Sequence, residues 1–147
     1  MRNHETIYDF PADTAILEKI GKLATDAGSN AGFDDIEIGD IQLALDEVCT
    51  NTIVHGLKND PSRTFQVVLE YDPGVIEIQI HESGEPFDPL DLEDPDLENI
   101  MEEQSAGGLG LYFLRELMDE ADFQIGLDGV KTWRIVKRKG HGPLTQA

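Results

Sequence analysis

Residues 43–56 run Leu43-Ala44-Leu45-Asp46-Glu47-Val48-Cys49-Thr50-Asn51-Thr52-Ile53-Val54-His55-Gly56. Glu47, Asn51 and His55 recur every four residues, so on a helix they share one face. Ile41, Leu45, Val48 and Thr52 form an adjoining, mostly apolar stripe. The pattern predicts a helix from near Asp40 to about His55, stopped by Gly56. A polar row at the margin of an apolar stripe suits a helix with the core on one side and a cleft on the other. Such rows also occur on ordinary solvated helices, so this stretch alone assigns no chemistry.

Outward from this helix the chain alternates between two periods. Upstream, residues 5–10 read as a short first strand. Ile16, Leu17, Ile20, Leu23, Ala24 and Ala27 then give a helical pattern from Asp13 to the exit at Gly28 and Gly32. Downstream, Asn59-Asp60-Pro61-Ser62 is a turn. Phe65, Val67, Leu69 and Tyr71 alternate, Asp72-Pro73-Gly74 reverses the chain, and Ile76, Ile78 and Ile80 alternate again, as in an antiparallel hairpin. Residues 88–106 lack periodicity and carry eight acids and no base, which predicts a loop or lid. A third helix follows Gly107-Gly108 with Leu111, Leu114, Leu117 and Met118. Phe123, Ile125 and Leu127 alternate, Asp128-Gly129 turns, and residues 130–138 form a last strand before a frayed tail over 139–147. The order β-α-α-β-β-loop-α-β-β predicts an α+β fold, with a mostly antiparallel sheet and the helices on one face.

Bulk properties narrow the class. At 147 residues, 39% hydrophobic and 28% charged, the sequence fits one globular domain spanning 1–147. A net charge of -19 argues against nucleic acid and against anionic membranes, but leaves basic protein partners open. The single cysteine, Cys49, permits no intrachain disulfide and lies in an apolar helical stretch, where a buried structural thiol is expected. No signal-like h-region follows Met1-Arg2-Asn3-His4-Glu5 and no apolar run spans a bilayer, so a cytoplasmic protein is expected.

Two glycine-bearing segments accompany the helix. Ile80-His81-Glu82-Ser83-Gly84-Glu85-Pro86-Phe87-Asp88-Pro89 ends a strand and turns, and Gly84 would let a ligand approach the backbone. Gly107-Gly108-Leu109-Gly110-Leu111 opens the third helix, where free N–H groups suit a phosphate. It is not a Walker loop, because no Gly-Lys-Ser/Thr follows, and no strand precedes it as in a dinucleotide turn. Each segment alone has an ordinary reading as a turn or hinge.

In this order the three segments resemble the sequence boxes of the GHKL ATPases. Leu43–Asn51 resembles their N box, and Glu82–Pro89 resembles the first glycine box, Asp-x-Gly-x-Pro-Phe-Asp-Pro. Gly107–Tyr112 with Leu117-Met118-Asp119-Glu120 resembles the second glycine box of the anti-sigma-factor serine kinases. The likeness runs from about residue 5 to 138. It implies the two-layer α/β sandwich of the Bergerat ATP-binding fold.

The resemblance also implies roles. Glu47 matches the general base, and Asn51 matches the Mg²⁺ ligand. Gly84, Gly107, Gly108, Leu109 and Gly110 match positions that contact ATP, and residues 88–106 match the ATP lid. Glu82 stands where the family has the aspartate that accepts from adenine N6, which sets its carboxylate one methylene further from the backbone. Thr132 falls near a threonine or asparagine that supports the adenine site, and Arg115 lies within a turn of the phosphate-binding glycines. The implied activity is that of an ATP-dependent serine/threonine protein kinase and anti-sigma factor of the partner-switching type. Its partners would be a small antagonist protein, which it phosphorylates, and a sigma factor, with a homodimer through the first-helix and sheet region. The alternative is a docking module of the same fold that binds ATP weakly or does no catalysis.

Overall fold

The computed structural model describes residues 4–82 and 110–140. The predicted element order is present, and the fold is α+β. Strand β1 (His4–Pro11) leads through a short 3₁₀ turn, Thr14–Ile16, into helix α1 (Leu17–Asn30). Asp13 starts this passage by accepting from the Ala15 N–H at 2.9 Å. Helix α2 (Asp35–Thr50) follows, and its last turn widens into a π-helical segment, Asn51–Gly56. Strands β2 (Thr64–Asp72) and β3 (Val75–Glu82) form the hairpin, Gly74 turning it at φ 81°. Helix α3 (Gly110–Leu117), β4 (Glu120–Ile125) and β5 (Lys131–Arg138) complete the described fold.

Helix α2 begins five residues before the predicted start near Asp40. The cause is a capping box. The Asp34 carboxylate accepts from the Glu37 N–H at 2.8 Å, and the Glu37 carboxylate accepts from the Asp34 N–H at 3.0 Å. The far end also differs from expectation. Gly56 is not in the left-handed region. Lys58 and Asn59 are, at φ 57° and 58°, and they turn the chain out of the helix. The Asn59 N–H closes the end on the Ile53 carbonyl at 2.8 Å, and the Leu57 N–H bonds the Thr52 carbonyl, five residues back, at 2.8 Å.

The sheet order is β1-β2-β3-β5-β4, and every described pairing is antiparallel. On one face Phe65, Val67 and Leu69 of β2, Ile76, Ile78 and Ile80 of β3, and Trp133 and Ile135 of β5 are buried beneath the helices. They meet Ile20, Ala24 and Ala27 of α1, Ile38, Ile41, Leu45 and Val48 of α2, and Leu114 of α3 in one core. Each large aliphatic buried in this way contributes roughly 1.5–3 kcal/mol. A Cβ on Gly28 would lie 3.1 Å from Ile38 Cγ1, so the glycine lets α1 and α2 approach closely. Lys137 ties three elements together on this face, donating to Asp40 of α2 at 3.2 Å and to the Leu117 carbonyl at the end of α3 at 2.7 Å. Cys49 is fully buried; burial, reinforced by the nearby Asp46 charge, pushes its thiol far up and leaves it inert.

Candidate functional site

The α2 row carries its polar groups to different depths. Glu47 is half-buried, Asn51 is buried at 2% exposure, and His55 is exposed. The Asn51 N–H still bonds the carbonyls of Glu47 and Val48, so the row is intact to this point and the helix widens only beyond it. Thr52 is fully buried beside Asn51. Neither Asn51 Nδ2 nor Thr52 Oγ1 has a hydrogen-bond partner among the described residues. Buried polar atoms left unpaired cost about 1–3 kcal/mol each, so two in succession mark a place where the fold is prepared for a polar ligand.

The widened turn leads to Gly56, which meets the end of β3. A Cβ built on Gly56 would lie 2.5 Å from both carboxylate oxygens of Glu82. The glycine therefore leaves room for the Glu82 carboxylate, which would have to shift if a side chain stood at position 56. Glu82 is 3% exposed. Burial pushes its carboxyl up, and Lys131, then Arg63 and Lys58, oppose that shift. Lys131 is its partner across the β3–β5 ladder, with Nζ 3.8 Å from Glu82 Oε1. These contacts bring together the C-terminal turn of α2, the end of β3 and the start of β5.

Thr132 is not brought to this cluster. It pairs with His81, one residue before Glu82, and strand side chains alternate between faces. Its hydroxyl lies 3.1 Å from His81 Nδ1 on the face away from the helices, and His81 Nε2 lies 3.0 Å from Gln79 Oε1. Burial lowers the His81 pKa there. The residue opposite Glu82 is Lys131, which sequence reasoning passed over. Thr132 is expected near the adenine site on the family resemblance alone, and the β3–β5 register sets Lys131 opposite Glu82 instead. Gly56 and Thr52 were likewise assigned only helical roles. Arg115 donates to the Ala121 carbonyl at 3.2 Å, which binds α3 to β4. Gly84, Gly107, Gly108, Leu109 and the lid over 88–106 lie outside the described residues, while Gly110 is the first residue of α3.

The donor set suits Mg²⁺ with a triphosphate. Among the described residues no group of three or more His, Cys, Asp or Glu could enclose a metal. Mg²⁺ needs no such cage, because it keeps waters and takes phosphate oxygens beside one or two protein ligands. The Asn51 carboxamide lies one turn from the Glu47 carboxylate; its unpartnered atom is Nδ2, a donor suited to a phosphate oxygen, while its carbonyl oxygen is the kind of hard ligand that Mg²⁺ takes. Among the described residues no helix is long and apolar enough to cross a membrane. A groove of about 540 Å³ between α1 and α2, lined by Leu17, Ile20, Leu43 and Leu45 with Asp40 and Asp46, includes none of these site residues.

Comparison with known proteins agrees with this geometry. The model of the histidine kinase-like ATPase domain matches residues 10–135. A serine-protein kinase RsbW of Bacillus licheniformis is 36% identical over 97 residues, covering 63% of this chain and 59% of that protein. The serine-protein kinase RsbW of Bacillus subtilis (strain 168) is 29% identical over 119 residues, covering 78% of this chain and 74% of that protein. The aligned part thus spans three fifths to three quarters of these relatives. The crystal structure of the RsbU and RsbW domains of Rv1364c from Mycobacterium tuberculosis superposes with a TM-score of 0.65 at 17% identity, over 92% of this chain and 32% of that one. That likeness shows the fold alone. The Glu47/Asn51 helix, the antiparallel sheet beneath it and the match over residues 10–135 place the chain in the histidine kinase-like ATPase domain family.

Proposed function

We propose that this chain is an ATP-dependent serine/threonine protein kinase that acts in the cytoplasm as an anti-sigma factor of the partner-switching type. The observation that carries the reading is the buried Asn51 side chain one turn from Glu47, its Nδ2 without a partner among the described residues and so available to a polar ligand. Relatives named as serine-protein kinases support the choice of phosphoacceptor.

Bound Mg²⁺-ATP would supply the transferable phosphoryl group and neutralise its charge. The chain's own residues do the positioning. Asn51 would hold the metal through its carboxamide oxygen. Glu47, half-buried and still reachable, accepts the proton of the attacking serine or threonine hydroxyl. Glu82 accepts from the base, and Gly84 allows the base close to the backbone. The resemblance assigns phosphate contacts to Gly107, Gly108, Leu109 and Gly110, and Gly110 is the first residue of α3, where free N–H groups suit a phosphate. The substrate is a small antagonist protein, and the alternate partner is a sigma factor. The charge of -19 favours basic surfaces on such partners and steers their approach.

The test is phosphate transfer from Mg-ATP to a candidate antagonist domain. Glu47→Ala is expected to lower the transfer rate by about 10²–10⁴-fold while nucleotide still binds. Equal transfer by Glu47→Ala would refute its role as base. Nucleotide binding without transfer by the wild-type protein would replace the kinase with a docking module of the same fold.

A further inference from the structure

The groove of about 540 Å³ between α1 and α2 has an apolar floor and an apolar rim. Ile20 and Leu45 in its floor are buried, whereas Ile36 and Leu43 on its α2 side are 79% and 54% exposed. Seven residues, two helical turns, separate Ile36 from Leu43, so both stand on one side of α2. Gly21 of α1 and Gly39 of α2 also line the groove. A Cβ on either would meet nothing within 4 Å, and neither has a positive φ. Glycine inside a helix costs about 1 kcal/mol relative to alanine. Contacts within the described chain require neither glycine, and the effect of their missing side chains is to keep the groove open.

The charges along the groove are negative. Asp40 is paired with Lys137 at 3.2 Å, but neither Asp35 nor Asp46 makes an ion pair among the described residues, and both are exposed. They stand eleven residues apart on α2, about 17 Å along its axis, or three turns. Acids at both ends of an exposed apolar stripe complement a helix with apolar residues on one face and a Lys or Arg at each end. A second copy of this chain fits poorly, since it brings the same acids and a net charge of -19. A small ligand fits poorly too, because the buried lining residues Ile20 and Leu45 offer it no polar group. Leu43 and Glu47 are i, i+4 neighbours, so the groove ends one turn from Glu47.

We propose that the α1–α2 groove docks a cationic amphipathic helix of a partner protein. The test is fluorescence anisotropy of the full chain, without nucleotide, against a labelled 15-residue peptide with leucines at i, i+4 and i+7 and lysines at both ends. A scrambled peptide of the same composition reports attraction by the net charge alone. The patterned peptide should bind about tenfold more tightly than the scrambled one, the scale of one good anchor. Gly39→Leu, which fills the groove, and Leu43→Gln, which removes an exposed anchor, should each abolish most of that difference. Both sites have room or exposure, so both variants should fold, which circular dichroism checks. Equal binding of the two peptides, no binding of either, or a difference that both folded variants retain overturns the docking groove. Self-association of the wild-type chain that Leu43→Gln abolishes would give the groove to a second copy and overturn it as well. Because nucleotide is absent, each of these failures leaves the kinase reading in place.

Discussion

The two faces of the β3–β5 ladder carry the same kinds of charged group in opposite environments. On the helix side, Glu82 and Lys131 form a single couple against the core, wedged by Gly56. On the other side, Arg134 meets three acids, donating to Glu77 at 3.1 Å, Glu120 at 2.9 Å and Asp122 at 3.2 Å. The outer cluster is richer in contacts and includes the more exposed acids Glu120 and Asp122, whereas the Glu82 carboxylate of the inner couple is almost wholly buried. Contact number is therefore a poor guide to importance. A buried carboxylate lacks the solvent screening that makes exposed pairs weak, so disturbing the inner face should cost more.

Gly56→Ala tests the inner face through two opposing effects. In most helices this substitution stabilises by about 1 kcal/mol. Here the new Cβ would lie 2.5 Å from both Glu82 oxygens, and overpacking of this kind costs about 1–3 kcal/mol. Urea unfolding should show a net loss, and Glu82→Ala in the same chain should recover part of it. A stabilised Gly56→Ala would mean that the wedge does not exist. Next comes the comparison of Lys131→Met with Arg134→Met. The first strips a buried carboxylate of its nearest cation and should destabilise by about 1–3 kcal/mol. The second removes a half-exposed partner and should cost about 1 kcal/mol or less. Equal losses would erase the distinction between the faces.

The pH dependence separates the faces by sign. Burial raises the Glu82 carboxyl from its ordinary 4.5, so the native state holds this proton more tightly than the unfolded chain does. The stability associated with that proton is complete below pH 4.5 and is lost as pH rises through the native value. Glu82→Gln has no such loss. Its stability relative to wild type should climb from pH 4.5 upward and then level off. Glu120 is held low by hydrogen bonds from Arg134 and Arg138, so its contribution runs the other way and disappears as pH falls. A Glu82→Gln advantage that shrinks with rising pH would contradict the burial of this carboxylate.

Much of this fold is written in local patterns. The alternation of Phe65, Val67, Leu69 and Tyr71 against Ile76, Ile78 and Ile80 is the register the sheet adopts, because one face of each strand must be buried. The spacing of Glu47 and Asn51 likewise survives, since the Asn51 N–H still bonds the Glu47 carbonyl where the helix begins to widen. What escaped the sequence depends on more distant geometry. The π-helical turn at Asn51–Gly56 follows no residue signal that distinguishes it from an α-helix. The closeness of Gly56 to Glu82 joins residues far apart in the chain. The pairing of β5 with β3 decides whether position 131 or 132 faces the site, and no local pattern reveals that register.

The smallest expected effect is the sharpest test of that register. Thr132→Val keeps the shape of the side chain and removes the hydroxyl, which lies 3.1 Å from His81 Nδ1. His81 keeps its contact with Gln79 at 3.0 Å and is partly reachable by water, so stability should fall by about 0.5–1.5 kcal/mol, the worth of one hydrogen bond, or less. Nucleotide affinity should not change, because Thr132 and Glu82 lie on opposite faces of the sheet. A Thr132→Val variant that bound ATP tenfold more weakly with normal stability would show that the threonine reaches the base after all. It would also require β5 to slip by one residue against β3, which would carry Trp133 and Ile135 out of the core. The burial of those two side chains is what holds Lys131 opposite Glu82.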